Sequence, residues 1–307
     1  MGMRREVIAE YLNGNVFVKR FDDGSVIRYS LDDEFNFEYP ENLDVKITDC
    51  CDMGCKMCHE GSTPDGKHGN IMAAIGWVNT LKPYTEIALG GGNIFTHPDL
   101  LDFLDKLYYQ HVFVNITVNQ KHFMDNINLI RYLVMHDRIR GIGVSLIDPS
   151  EAFFTAIKEF PNLVIHVIAG VLDEHRLQVL MEHGKDLKIL ILGYKKLRRG
   201  NEYYSQYDRD VDWNIGMLER DLSLMFDNFK IVSFDCLAIE QLHVKDHLPK
   251  QIWDVFFQGE DGTMTFYIDM VNNVFAKSST EPLDKRYSID ELDNDVQAMF
   301  QYVKNFL

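Results

Sequence analysis

The chain has few cysteines, and they are not arranged as a secreted protein arranges them. Of five, four crowd between positions 50 and 58 and the last stands alone at 236. This argues against a disulfide framework and for free thiols in a reducing cytoplasm. Basic charge is also scarce, with 31 Lys and Arg against 47 Asp and Glu, a net charge of −16. That opposes binding along a nucleic-acid backbone, which needs clustered cations to release counterions. The only notable basic run is Lys195-Lys196-Leu197-Arg198-Arg199, either a grip for a carboxylate or phosphate or a solvated loop. No stretch approaches membrane-spanning length, and no secretion signal is apparent at the N-terminus. A cytoplasmic location is expected. There is no second cysteine cluster, internal repeat or low-complexity segment.

What is present is a chain of 307 residues, 46% hydrophobic, long enough for a substantial core. Residues 1–42 read as a small strand-rich extension, with a hairpin of 16–21 and 25–29 turning at Asp23-Gly24. From residue 43 short apolar segments alternate with longer amphipathic ones. Strands are expected at 43–47, 86–89, 112–118, 142–145, 164–169, 187–192 and 229–234, and helices at 99–109, 127–136, 149–159, 174–183 and 213–226. This alternation predicts a helix-covered parallel sheet, either a partial barrel or a doubly wound sheet, with ligands at the carboxyl ends of the strands. Residues 246–307 change character, to a hairpin of 264–269 and 273–276 and a final helix over 289–306.

Cys51-x₃-Cys55-x₂-Cys58 follows the first of these strands. Thiolates select iron-sulfur clusters, zinc or copper. A closed zinc site needs four ligands, and Cys50 and His59 are the local extras. Each is adjacent to a motif cysteine, so its side chain tends to point away. Three thiolates suit a [4Fe-4S] cube with one open iron. The second strand ends in Gly90-Gly91-Gly92-Asn93, where glycine permits close approach of backbone to a ligand.

Together these residues resemble the radical S-adenosylmethionine (radical SAM) superfamily, single-cluster type, over residues 43–245. The resemblance implies a partial (β/α)6 TIM-like barrel, with the N-terminal hairpin and the C-terminal hairpin and helix appended. It implies cluster ligands Cys51, Cys55 and Cys58. It also implies a site for S-adenosyl-L-methionine at Gly91, Gly92 and Asn93, where Asn93 replaces the family's acidic residue and Ile94 its proline. Asn119, Ser145, Gly193 and Met57 match positions that lie near the adenosine in the family. Cleavage of the cofactor to methionine and a 5′-deoxyadenosyl radical is implied, with electrons from a small reductant such as flavodoxin or ferredoxin.

Cys236 ends a late strand and is a candidate hydrogen donor to a substrate radical. Ordinary packing is its alternative. Asp235 and Lys195 are candidate substrate contacts, and His166 is either substrate-facing or a satisfied core residue. The expected function is hydrogen abstraction from a small molecule. The lack of a second cysteine-rich domain disfavours the branch with auxiliary clusters, common among peptide maturases. The alternatives are modification of a peptide or protein, of epimerase or glycyl-radical activase type, and a non-enzymatic iron-sulfur electron carrier or redox sensor.

Overall fold

The computed structural model describes residues 6–32, 34–257 and 259–305. The N-terminal pentapeptide and position 306, where the last helix was expected to end, lie outside them. Three strands, β1 (Val7–Asn13), β2 (Val16–Phe21) and β3 (Val26–Tyr29), form an antiparallel sheet of order β1-β2-β3. The hairpin turns at Gly24, whose φ of +85° favours glycine. β1 lies just before the expected hairpin and completes the sheet.

The main sheet has ten strands. Seven are parallel neighbours: β4 (Asn42–Thr48), β5 (Glu86–Gly91), β6 (Phe113–Asn119), β7 (Gly141–Ser145), β8 (Leu163–Ile168), β9 (Lys188–Leu192) and β10 (Ile231–Phe234). On the other side of β4 lies β11 (Thr265–Asp269), also parallel to it, followed by antiparallel β12 (Val274–Ala276) and β13 (Tyr287–Ser288). The C-terminal hairpin thus continues the same sheet.

Helices link and cover the strands: α1 (Ile75–Val78), α2 (Leu100–Tyr109), α3 (Gln120–Asp125), α4 (Ile127–Met135), α5 (Glu151–Ile157), α6 (Glu174–Glu182), α7 (Arg199–Asn228), α8 (Cys236–Gln241), α9 (Lys250–Phe256) and α10 (Val296–Asn305). In α2 the buried Leu100, Phe103, Leu104 and Leu107 repeat at helical spacing, and Asp102 and Lys106 complement the helix dipole. The helix expected at 213–226 is the distal part of the 30-residue α7, which kinks at Tyr207.

Alternate strand residues have different fates. Leu43, Val45, Ile47, Ile87, Leu89, Val114, Ile116 and Val118 are buried in one hydrophobic core with helix residues such as Phe103 and Leu104. The residues between them, including Asp44, Ala88, Asn115, Thr117 and Asn119, keep some exposure. They lie on the face away from the helices.

The sheet curls into a partial barrel. Laid flat, the six steps from β4 to β10 would separate those strands by about 29 Å at ~4.8 Å per step. Yet Lys195 and Asp235, beyond β9 and β10, act electrostatically on Asp44 of β4. The barrel is not closed by hydrogen bonds, because β10 and β13 are the sheet's ends. At the strand N-termini, buried Arg20 of β2 pairs with Glu41 at 3.0 Å and Glu86 at 3.2 Å, docking the small sheet under β4 and β5.

Candidate cofactor site at the cysteine loop

The cysteine motif sits in the loop that leaves the carboxyl end of β4. Backbone bonds fix this loop: Asp49 N–H to Lys67 C=O at 2.8 Å, Cys51 N–H to Thr63 C=O at 2.8 Å and Thr63 N–H to Asp49 C=O at 3.1 Å. Gly54 at φ +60° supplies a left-handed turn between the first two cysteines. The three motif cysteines are all half-buried. Burial, followed by their mutual proximity, pushes the Cys51 and Cys55 thiols up.

The end of β5 is built onto this loop. Gly92 N–H donates to Thr48 C=O and Asn93 N–H to Cys50 C=O, both at 2.7 Å. A Cβ on Gly92 would stand 2.3 Å from the Cys50 carbonyl oxygen, and one on Gly91 2.4 Å from that of Thr48. The close approach these glycines permit is therefore to the cysteine loop itself. Asn93 is buried, and its Oδ1 accepts from Phe95 N–H at 3.2 Å. That oxygen also closes a turn, a role the sequence alone did not announce.

The remaining candidates lie along the same rim. Asn119 ends β6 and caps α3, its Oδ1 accepting from Lys121 N–H at 2.9 Å. Ser145 ends β7. Gly193 follows β9 and donates its N–H to Asp235 Oδ1 at 2.9 Å, close against Leu237 of α8. Met57 is half-buried in the cysteine loop, its carbonyl oxygen close against Gly200. Cys236 opens α8, with the Asp261 carboxylate beside its thiol. Burial and then the Asp261 charge push that thiol up to about 12, so it keeps its proton. His166 on β8 is pushed down to about 4 by burial and is neutral at pH 7.

The two extra donors near the motif are engaged elsewhere. Cys50 Sγ donates to Pro64 C=O at 3.3 Å, and His59 Nε2 lies 3.3 Å from Glu60 Oε1. Among the described residues one trio converges as ligands of a single ion would: Cys51, Asp52 and His122, with all donor atoms within 4.8 Å. Cys51, Cys55 and Cys58 do not converge in that way. A cube binds each thiolate to a different iron, so its ligands need not. The donors are those of a metal or cofactor site.

The basic run beyond β9, left open by the sequence, turns inward to this loop. Arg199 donates from Nε to Cys55 C=O at 3.1 Å and from Nη2 to Ser62 C=O at 2.9 Å. Arg198 Nη1 lies 3.1 Å from Glu60 Oε2. Below it, Lys46 Nζ contacts Asp49 at 2.7 Å, Glu60 at 3.0 Å and Asp269 at 3.3 Å. Arg286 adds a 3.2 Å contact to Asp269. Burial alone would raise the Glu60 carboxyl, but His59 and Lys46 hold it well below the usual carboxylate range. Asp44, Lys46, Asp269 and Arg286 were not singled out from the sequence. The signal for the first two was a polar residue at every second position of an otherwise apolar strand.

No protein-family model and no curated protein matches the chain. Among solved structures, Streptococcus suis SuiB bound to S-adenosylmethionine aligns at TM-score 0.55 and 12% identity, over 88% of this chain and 69% of that one. SuiB bound to its precursor peptide SuiA aligns at TM-score 0.50 and 13% identity, over 79% of this chain and 60% of that one. The chain thus covers less than two thirds of the SuiB chain in the peptide-bound structure. Over the aligned residues, the chain has the fold of SuiB.

Proposed function

We propose that this chain is a radical SAM enzyme that modifies a peptide or protein. The observation that carries this is the joining of the Cys51-Cys55-Cys58 loop to Gly92-Asn93 at the carboxyl ends of two adjacent strands, in a fold that SuiB shares. The residues fit a cluster with three protein ligands, since Cys50 and His59 are turned to other partners. Cys51, Cys55 and Cys58 would hold a [4Fe-4S] cluster. The rim formed by Gly91, Gly92, Asn93, Asn119, Ser145, Gly193 and Met57 would hold S-adenosylmethionine. When bound, the pair supplies a 5′-deoxyadenosyl radical able to remove a hydrogen atom from substrate. The peptide-bound SuiB structure favours a peptide substrate over the small molecule expected first.

The chain's own contribution is to fix the cysteine loop and to keep a proton-bearing thiol beside the barrel interior. Cys236 would return a hydrogen atom to a substrate radical, forming S–thiyl and C–H. One electron from the low-potential reductant and one proton would restore the thiol. A thiol held protonated by its surroundings suits that role, because only S–H can donate a hydrogen atom.

The test is anaerobic reconstitution with iron and sulfide, reduction in the presence of S-adenosylmethionine, and chromatography for 5′-deoxyadenosine. Its formation is expected. An intact cluster that never yields it, under several reductants, would sink the radical reading and leave an electron carrier or sensor. For Cys236, the Ala variant should still cleave cofactor but lose turned-over product.

A further inference from the structure

We infer that His122 is a positioning residue for the cofactor site: through Asp52 it ties the Cys51 end of the cysteine loop to the Asn119 and Ser145 side of the rim. The inference deepens the radical-enzyme reading and rests on it. His122 Nε2 lies 2.7 Å from Asp52 Oδ1, a contact across 70 positions of sequence that no local pattern announces. An ionised carboxylate only accepts hydrogen bonds, so Nε2 carries the proton and donates it. The two ends have different surroundings, with the His122 side chain 3% exposed and that of Asp52 61% exposed. Cys51 Sγ completes the group: it, an Asp52 carboxylate oxygen and a His122 ring nitrogen all lie within 4.8 Å of one another. The bond therefore stands against the first of the three cluster cysteines.

Positioning needs a fixed post, and α3 is one. Phe123 is fully buried and meets Phe153 and Phe160 edge-to-face, at 6.3 and 5.5 Å between ring centroids. Gln120 is also buried, and both ends of its amide are used. Its Oε1 accepts from Ile147 N–H at 2.7 Å and Asp148 N–H at 2.9 Å, and its Nε2 donates to Asp148 C=O at 2.7 Å. Asn119 caps the same helix. Asn119, Gln120 and His122 thus join the end of β6, the segment after Ser145 and the cysteine loop. A buried histidine needs a partner for its ring nitrogens. This one takes its partner from the loop that carries a cluster ligand.

The loop's other bonds run elsewhere. Arg199 of α7 holds Cys55 C=O and Ser62 C=O. Cys51 N–H and the Cys50 thiol bond the returning chain at Thr63 and Pro64. These contacts fix the loop to α7 and to itself. Among the described residues, the hydrogen bond that joins it to the β6 and β7 side is the one from His122. A cluster on Cys51 and a nucleoside on the Asn119 and Ser145 rim belong to one cofactor pair. The separation of those two segments decides whether both ends of S-adenosylmethionine are held at once.

The experiment compares wild type with Asp52→Ala, His122→Leu and His122→Gln. Asp52 is exposed, so Asp52→Ala removes the bond without opening the core and decides the matter even where His122→Leu misfolds. His122→Gln keeps an N–H near the place of Nε2. In the unloaded full chain, hydrogen-exchange protection of amides 51–54 should fall about tenfold in Asp52→Ala and His122→Leu, as for loss of a hydrogen bond to a charged group. Protection in β5 and β6 should hold, and His122→Gln should stay near wild type. After anaerobic reconstitution, all variants should keep wild-type iron content. With S-adenosylmethionine, the reduced cluster should give one EPR species in wild type and His122→Gln and more than one in Asp52→Ala and His122→Leu. Unchanged protection or a single cofactor-bound species in Asp52→Ala overturns the inference. So does protection lost equally from β5 and β6, or His122→Gln behaving as His122→Leu. Exchange is read without a cluster, and 5′-deoxyadenosine formation is read on wild type, so a failure here and a failure of the radical reading are told apart.

Discussion

Two neighbouring rows inside one barrel treat charge in opposite ways. Around Lys46 every formal charge is answered, and the contacts join three distant segments: the cysteine loop through Asp49 and Glu60, the run beyond β9 through Arg198, and the C-terminal strands through Asp269 and Arg286. Around Asp44, two residues earlier on the same strand, the exposed carboxylate has no ion pair and no hydrogen bond among the described residues. A satisfied buried network fixes a loop in one geometry. A set of unanswered polar groups costs stability unless a ligand or water answers them. The first row is a scaffold and the second is left open, separated by one strand repeat.

The sharpest way to break this comparison is at the cysteines. Cys51→Ala, Cys55→Ala or Cys58→Ala should each abolish the intact cluster, read as iron content and visible absorption after anaerobic reconstitution. Cys50→Ala should keep both, because its thiol is turned to Pro64. Full iron content and an unchanged spectrum in any of the first three would defeat the ligand assignment.

Next in size is Lys46→Met. Removing the ammonium shared by Asp49, Glu60 and Asp269 leaves Glu60 to Arg198, Asp269 to Arg286 and Asp49 without a cation, and breaking a buried pair costs up to about 3–5 kcal/mol. Denaturant titration of the unloaded chain should register that drop. A change under 1 kcal/mol would mean the network is dispensable.

Gly92→Ala should cost about 1–3 kcal/mol, the usual range for overpacking, because its Cβ would collide with the Cys50 carbonyl oxygen. Iron should also leave this variant faster on chelator challenge. Wild-type stability with wild-type iron retention would disconnect the glycine strand end from the cysteine loop.

Asp44→Asn has the smallest expected effect and the opposite sign. Burial, then Asp261 and Asp235, push the Asp44 carboxyl up to about 6, with Lys195 pulling the other way. Its ordinary value is ~3.9, so the folded chain holds this proton more tightly than the unfolded chain. The contribution of Asp44 to stability is then most favourable below the ordinary value, and it declines as pH rises through the window up to about 6. Asp44→Asn should therefore be more stable than wild type at pH 7, with the gap closing near pH 4. A destabilised variant at pH 7 would place Asp44 in the scaffold and erase the contrast.

Much of this was legible in the residues. The C-x₃-C-x₂-C spacing, the Gly91-Gly92-Asn93 strand end and the alternation of strands with helices all depend on local chemistry and period. The parts that were not legible depend on partners far away in the chain. Lys195-Lys196-Leu197-Arg198-Arg199 read equally as a ligand grip or a solvated loop. Arg199 proved to hold carbonyls of Cys55 and Ser62, 144 and 137 positions earlier. The segment 264–269 read as half of a hairpin, and its parallel pairing to β4 rests on contacts such as Lys46 to Asp269, 223 positions apart. Asn93 read only as a ligand acceptor, because nothing local announced that its oxygen also accepts from Phe95 N–H.

By itself the sequence determined the donors, their spacing and which strand face would be apolar, because these follow from side-chain chemistry and a two-residue repeat. Only the tertiary structure decided which polar groups are answered and which are left open. Lys46 and Asp44 stand on the same face of the same strand. The curl of the sheet and the register of β11 bring Asp269 to Lys46 and Tyr267 to Asp44, and that one-repeat difference separates the paired charges from the unpaired ones.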